Sequence, residues 1–236
     1  CGPTVYDYIH IGNARSFSFF DTFAKYLRFA GYTVHYLQNI TDIDDKIIRR
    51  AHTSKKTFES VAEKFTKEYK QDMKLLNVTA VDTYAPATKF IKEIIGQVKR
   101  LVDNGFAYEI EDGIYFDVTK FKRYGQLRKV DLEEDAVSRI DVSDSKRNSQ
   151  DFCLWKKYKK GEPFWQGPFG KGRPGWHIED TAISEKFFGS QYDIHGGGID
   201  LIFPHHEAEI TQMEAISGKF PFVKYWVHNG WVLVDG

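Results

Sequence analysis

Three groups of residues have the types and spacing to do chemistry. The first is His10-Ile11-Gly12-Asn13, set between a strand-like loop and a predicted helix. Gly12 has no side chain to hold a nucleotide's phosphates away, and a helix N-terminus offers free N–H groups and a positive dipole end to an anion. His10 is placed to donate to those phosphates as negative charge shifts during nucleotidyl transfer. A buried histidine capping a turn would give the same four residues. The second group is Asp193-Ile194-His195-Gly196-Gly197-Gly198-Ile199-Asp200, with three successive glycines after a short strand. Such a chain can lie flat against a ligand, with the acidic residue Asp200 taking ribose hydroxyls. A flexible turn is the plain alternative, but three glycines in a row cost backbone entropy that an ordinary turn does not require.

The third group is a set of metal ligands. His205 and Glu209 are four apart on a predicted helix and so share a face. Asp180 lies on another predicted helix, and Cys1 in the first loop. One thiolate, one imidazole and two carboxylates can complete a four-ligand zinc site. A capping aspartate and a surface His–Glu pair would leave the same trace. His206 points about 100° away from His205 on a helix and is left out. Cys153, between Phe152 and Leu154, is expected to be a small buried apolar residue.

These groups must be positioned by an α/β framework. Apolar spacing predicts a helix over Ala14–Ala30, ended by Gly31, then a short strand over Thr33–Leu37. Helices follow over Ile43–Ala51, Thr57–Leu75 and Pro86–Asn104. Two strand-like runs, Ala107–Ile110 and Ile114–Phe116, flank Glu111-Asp112-Gly113, a hairpin signal. Pro163–Gly175 reads as a loop. Helices are then expected over His177–Phe188 and Pro204–Ser217, and strands over Tyr192–His195, Val223–His228 and Trp231–Val234. The expected architecture is a Rossmann-like parallel-sheet nucleotide-binding domain. Residues 1–105 form its first half with a helical extension, 106–150 an inserted connective subdomain, and 151–236 its second half.

The 236 residues carry 33 Lys and Arg against 33 Asp and Glu, so net charge says nothing for or against nucleic acid. No apolar run is long enough to span a bilayer and no signal peptide opens the chain. Two cysteines make no disulfide framework, which suits a reducing cytoplasm. Cys1 in place of an initiator Met reads as a truncated start, and Trp231–Gly236 as a strand running into a cut end.

Together these segments resemble the cysteinyl-tRNA synthetases, a group of class I aminoacyl-tRNA synthetases, almost end to end. The most specific are Cys1–Asp7 leading into His10–Asn13, Asn39–Lys46, Gly172–Glu179, and the run from His195 through Glu209. The resemblance implies that His10 and Asn13 belong to the catalytic "HIGH" signature. It implies that His10, Gly12, Asn13, Gly196, Gly197, Gly198 and Asp200 hold ATP, and that Gly2, Thr41, Trp176 and His195 line the amino-acid pocket. Thr41 could equally cap the following helix, and Trp176 could be core packing. The family also holds a zinc ion that binds the substrate thiol through two cysteines, a histidine and a glutamate. Cys1, His205 and Glu209 match three of these, and Asp180 stands where the second cysteine would fall. Aspartate keeps the formal charge of the site but makes it harder. The family's "KMSKS" loop is expected directly after Gly236.

The implied reaction has two steps: ATP, with Mg²⁺, activates L-cysteine to cysteinyl-adenylate, and the aminoacyl group passes to the 3′ end of tRNA(Cys). Cysteine and serine differ by one atom, and a simple pocket separates such near-isosteres by only about 1–3 kcal/mol. A metal-bound thiol is deprotonated whereas an alcohol is not, so an open zinc position makes the distinction without editing. Two rival readings remain. One is a cysteine ligase acting on an amino sugar, as in mycothiol formation. The other is a non-catalytic paralogue that binds nucleotide or cysteine, for which Asp180 is the best support.

Overall fold

The computed structural model describes residues 1–128 and 145–233. Residues 129–144 of the expected insertion, and Val234 of the expected last strand, lie outside the described residues. The chain divides into two compact units. The first comprises Cys1–Lys89, His195–Ile199 and Val227–Gly236; the second comprises Phe90–Ile194 and Asp200–Trp226.

In the first unit, helix α1 (Ile11–Phe29) begins three residues before the apolar spacing predicts. Its first turn is held by a cap rather than by burial: Ile11 is 73% exposed, while His10 and Asn13 form a reciprocal capping box. Strand β1 (Leu37–Ile40) is followed by helices α2 (Asp45–Ser54) and α3 (Phe58–Leu75), then by β2 (Thr83–Pro86). β1 and β2 run parallel, from Leu37 opposite Thr83 to Ile40 opposite Pro86, and Thr4 bridges Thr41 in the same parallel sense. A helical crossover between parallel strands is the unit of an α/β fold. Its core includes Val5, Phe17, Ile40, Ile47, Phe65 and Met73. The carboxylate of Asp21, buried on α1, accepts from the Thr79 and Ala80 N–H groups at 2.7 Å each, which ties the approach to β2 onto the helix.

Two expectations in this unit are corrected. The strand lies at Leu37–Ile40 rather than Thr33–Leu37, because burial and parallel pairing begin there while Thr33 and His35 face solvent. The predicted helix over Pro86–Asn104 is shorter. Pro86 is the last residue of β2, where a missing N–H is tolerated, and a 3₁₀ turn over Ala87–Phe90 precedes the α-helix.

The second unit holds α4 (Ile91–Asp103) and an antiparallel sheet of order β3-β4-β5-β7-β6. Its strands are β3 (Ala107–Glu109), β4 (Gly113–Phe116), β5 (Phe152–Lys157), β6 (Trp165–Gly167) and β7 (Gly170–Pro174). The Asp112-Gly113 hairpin forms as predicted, with Ala107 opposite Phe116. Pro163–Gly175 is not a loop: β6 and β7 form a hairpin within it, and β7 pairs with β5. Gly172 makes that pairing possible, since a Cβ there would sit 2.3 Å from the Trp155 Nε1 atom and 2.4 Å from the Lys156 carbonyl oxygen. A glycine in a strand marks just such a close approach. The core runs through Ile94, Val98, Leu101, Phe116, Phe152 and Trp155.

Helix α5 (Ile178–Phe188), strand β8 (Tyr192–Gly198), helix α6 (Glu207–Ser217) and strand β9 (Val223–Asn229) complete the chain order. β8 and β9 pair, and β8 runs through all three glycines instead of stopping at His195. The expected helix over Pro204–Ser217 starts regularly only at Glu207, after a wide turn over Ile202–His206 in which Phe203 is extended (φ −138°, ψ 134°). Trp231–Leu233 are not strand. Instead, the Gly230 and Trp231 carbonyls accept hydrogen bonds from the Arg15 guanidinium. No helix of the described residues is long and apolar enough to cross a membrane.

Candidate functional site

In the first unit, the start of α1 is built around His10. Its Nδ1 accepts from the Gly12 N–H at 3.1 Å, and its own N–H donates to Asn13 Oδ1 at 3.3 Å. A Cβ on Gly12 would lie 2.9 Å from His10 Cε1, so glycine is what admits the imidazole over the first turn. With Nδ1 accepting, a neutral ring carries its proton on Nε2, the outward nitrogen of an exposed side chain. Histidine thus occupies one of the N–H groups that the sequence assigns to phosphate, and offers its own ring N–H in exchange.

The start of the chain gathers several predicted binding residues in the same unit. The Cys1 nitrogen donates to the Gly196 carbonyl at 2.7 Å, and Cys1 Sγ lies 3.1 Å from His195 Nε2. The Gly2 N–H donates to Asn39 Oδ1. A Cβ on Gly2 would fall 1.7 Å from the Asn39 carbonyl oxygen, so only glycine fits. Thr41 is buried in the parallel bridge, where its N–H donates to Pro3 O at 3.0 Å. It does not cap α2; Asp44 does, accepting from the Lys46 N–H at 2.7 Å. Gly196 packs against the edge of Phe20. Asp200 falls in the second unit, in the 3₁₀ turn Ile199–Leu201 after β8, and is exposed.

The second unit brings together three of the four proposed metal ligands. His205 Nε2 lies 2.7 Å from Asp180 Oδ2 and 3.1 Å from Glu209 Oε1. One ligand atom from each of the three lies within 4.8 Å of the others. All are buried: His205 is 2% exposed, Asp180 6% and Glu209 0%. Burial pushes the Glu209 carboxyl well above its ordinary range, and the neighbouring Asp180 charge adds to this. Two carboxylates that aim oxygens at one buried imidazole nitrogen form a nitrogen-and-oxygen donor set of net negative charge. Such a set fits a divalent cation of the zinc class. His205 reaches it from the irregular turn before α6 rather than from the helix, which places Asp180 on α5 and Glu209 on α6 to either side.

His177, Gln212 and Glu207 carried no sequence signal of their own. His177 Nδ1 lies 2.9 Å from His205 Nδ1, so the two rings share one proton-bearing contact on the side away from the carboxylates. A partner of this kind fixes the ring of a ligating histidine. The Gln212 amide in turn donates to the His177 carbonyl at 3.2 Å. Trp176 is not core packing; at 36% exposure it stacks on His205 with centroids 4.4 Å apart. Glu207 accepts from the Gly125 and Leu127 N–H groups at 2.8 Å each, which anchors that loop beside the turn. His206, set aside on helical geometry, is fully buried against Trp226, with centroids 5.1 Å apart. Cys153 is buried, as expected.

The whole chain, residues 1–236, matches a family model described as tRNA synthetases class I (C) catalytic domain. It is 56% identical over its full length to a protein of Thermoplasma acidophilum named Cysteine--tRNA ligase, and 52% identical to one of the same name from Methanococcus maripaludis. The chain spans about half the length of these curated relatives, 52% and 50% respectively. Among solved structures it is similar to the Mycobacterium tuberculosis methionyl-tRNA synthetase in complex with methionyl-adenylate. The TM-score is 0.73 at 13% identity, covering 97% of this chain and 55% of that one. That likeness confirms an α/β fold of the class I synthetase kind. The chain belongs to the class I (C) tRNA synthetase catalytic-domain family.

Proposed function

We propose that the full-length protein activates L-cysteine with ATP and transfers it to the 3′ end of tRNA(Cys). The observation that carries this reading is the buried His205 nitrogen shared by Asp180 and Glu209, in a chain whose relatives bear the name Cysteine--tRNA ligase. Asp180, His205 and Glu209 would hold one zinc ion, with Cys1 as the fourth ligand on the strength of its thiol and its match to the family segment. Zinc supplies a coordination position that a thiolate fills and a hydroxyl does not.

The chain's own residues do the rest. Trp176, Thr41, His195 and Gly2 bind the amino acid; Gly12, Asn13, Gly196, Gly197, Gly198 and Asp200 bind ATP, which brings its Mg²⁺. In the first step the cysteine carboxylate oxygen attacks the α-phosphorus, the bond to the β-phosphate bridging oxygen breaks, and pyrophosphate leaves. This step needs positioning and charge stabilisation more than acid–base work. The His10 Nε2–H donates to the phosphate oxygens as charge builds, while Nδ1 stays engaged with Gly12. We place the reaction in a reducing cytoplasm, where Cys1 and Cys153 remain thiols.

The test is cysteine-dependent ATP–pyrophosphate exchange by the full-length protein, followed by charging assays with tRNA(Cys) and with glucosaminyl-inositol. Exchange with cysteine, far weaker exchange with serine, and transfer to tRNA are expected. Absence of exchange would overturn the enzymatic reading, and transfer to the amino sugar alone would overturn the tRNA.

A further inference from the structure

A surface cavity of about 280 Å³ opens where α2 ends and α3 begins, within the first unit. Arg50, Lys56 and Lys64 line it, and no carboxylate does. Among the described residues, neither Lys56 nor Lys64 has an ion-pair partner. Arg50 meets Asp7 only at 3.5 Å and on the exposed surface. The Lys64 ammonium is held over two rings, 4.8 Å from the Phe65 centroid and 5.4 Å from Tyr8, and the Arg50 guanidinium lies 5.7 Å from Phe65. These ring contacts hold two cations at the cavity wall without neutralising them.

The rest of the lining adds to the same sign. α3 points its N-terminus here, with Thr57 as cap, so the positive end of an 18-residue helix adds to the three side chains. Ser60 contributes a hydroxyl at the wall. Thr53 and Ser54 also line the cavity, but their hydroxyls donate to the Arg49 and Arg50 carbonyls at 3.0 and 2.7 Å and serve the helix end. Three like charges in so small a space repel one another. An anion bearing several acceptor oxygens relieves that repulsion and takes donors from every wall.

We propose that this cavity binds a phosphate group, with Arg50, Lys56, Lys64 and Ser60 as its donors. The phosphate comes either from an RNA backbone or from a small phosphate in solution. Neither source depends on which amino acid the protein activates, so failure here leaves that reading untouched.

The experiment compares full-length wild type with Lys56→Gln/Lys64→Gln, whose exposed side chains leave the fold and pyrophosphate exchange unchanged. One arm measures Kd for a tRNA transcript across a salt series. The other follows line broadening of inorganic phosphate by ³¹P NMR. An RNA source predicts that the double variant binds about tenfold more weakly and loses about one to two units of the log Kd–log salt slope. A small-phosphate source predicts that broadening by wild type is lost in the variant while the RNA slope holds. Identical RNA affinity, salt slope and phosphate line width in the two proteins would overturn the proposal.

Discussion

Replacing Asp180 by Asn separates a metal ligand from a structural partner of His205, because the two roles predict opposite changes in the metal-free protein. The side chains have nearly the same volume, so at a position 6% exposed the change acts through charge rather than packing. Without metal, Asp180 and Glu209 place oxygens within 4.8 Å of each other. Two full charges at that separation repel by roughly 3 kcal/mol at an effective dielectric constant near 20, and burial together with the Asp180 charge pushes the Glu209 carboxyl pKa upward. Asparagine removes that repulsion. It also keeps an oxygen able to accept from His205, so the metal-free variant should unfold at the same temperature as wild type or a few degrees higher. With metal the sign reverses. Losing one anionic ligand should weaken zinc binding at least as much as losing an outer-shell partner does, about 10- to 100-fold, or about 1.4–2.7 kcal/mol.

The assay is thermal unfolding of the full-length protein, stripped and zinc-loaded, together with zinc competition against a chromogenic chelator. The expected pattern is an apo midpoint that holds or rises beside a zinc Kd that increases. If the apo midpoint falls while the zinc Kd is unchanged, Asp180 is a hydrogen-bond partner of His205 and the metal-ligand assignment fails.

Two further outcomes follow from the geometry. Gly196→Ala puts a Cβ 2.2 Å from Phe20 Cε1, so the ring must move; stability should drop by about 1–3 kcal/mol in thermal or urea unfolding, and Phe20→Leu in the same chain should recover part of the loss. For Glu185, burial alone would raise the carboxyl pKa. The paired Arg100 guanidinium, at 2.9 Å to Oε1, and the Gln97 amide, at 2.8 Å, outweigh it and hold the pKa below the ordinary value of 4.5. A carboxyl depressed in the folded state stabilises it above its unfolded pKa and loses that contribution as pH falls through the folded value. Glu185→Gln should therefore lower stability at pH 7 and flatten its decline below pH 4.5, read from urea midpoints across pH; an unchanged acid limb would count against the pair.

The helices were legible where burial follows sequence spacing. α3 and α4 bury apolar residues at the period of a helix, and both fall within or close to the predicted spans. The sheet of the second unit was not legible as a whole, because its strands depend on partners far away in sequence. Phe152–Trp155 is a continuous buried run with no alternation to mark it, and Gly172 reads as a loop residue until Trp155 is seen packed against it. Thr33–Leu37 failed for the opposite reason. Its β-branched composition is genuine, but the parallel ladder with β2 takes only its last residue, Leu37, so propensity lost to tertiary placement. In the candidate site, the His205–Glu209 spacing carried the signal even though the helix begins two residues past His205. His177 did not, since its contact with His205 joins two elements 28 residues apart.

α5 and α6 show why the chemistry belongs to this pair of helices. Every residue from Ile178 to Ser184 and from Glu207 to Glu214 is buried, yet five of them are carboxylates: Glu179, Asp180, Glu207, Glu209 and Glu214. A sequence reader assigns such residues to a solvated face, because a buried carboxylate is costly without compensation. The fold makes direct use of Glu207 and Glu214. Glu207 accepts the Gly125 and Leu127 N–H groups, and Glu214 accepts the Phe222 N–H at 3.0 Å, so each holds a neighbouring segment in place. Asp180 and Glu209 turn oxygens toward the same imidazole nitrogen, at 2.7 and 3.1 Å. Places where a sequence breaks the binary pattern in this way are the places to look for function. Under the proposed function, a bound cation is the partner that would make the burial of both carboxylates favourable, which the Asp180→Asn comparison tests.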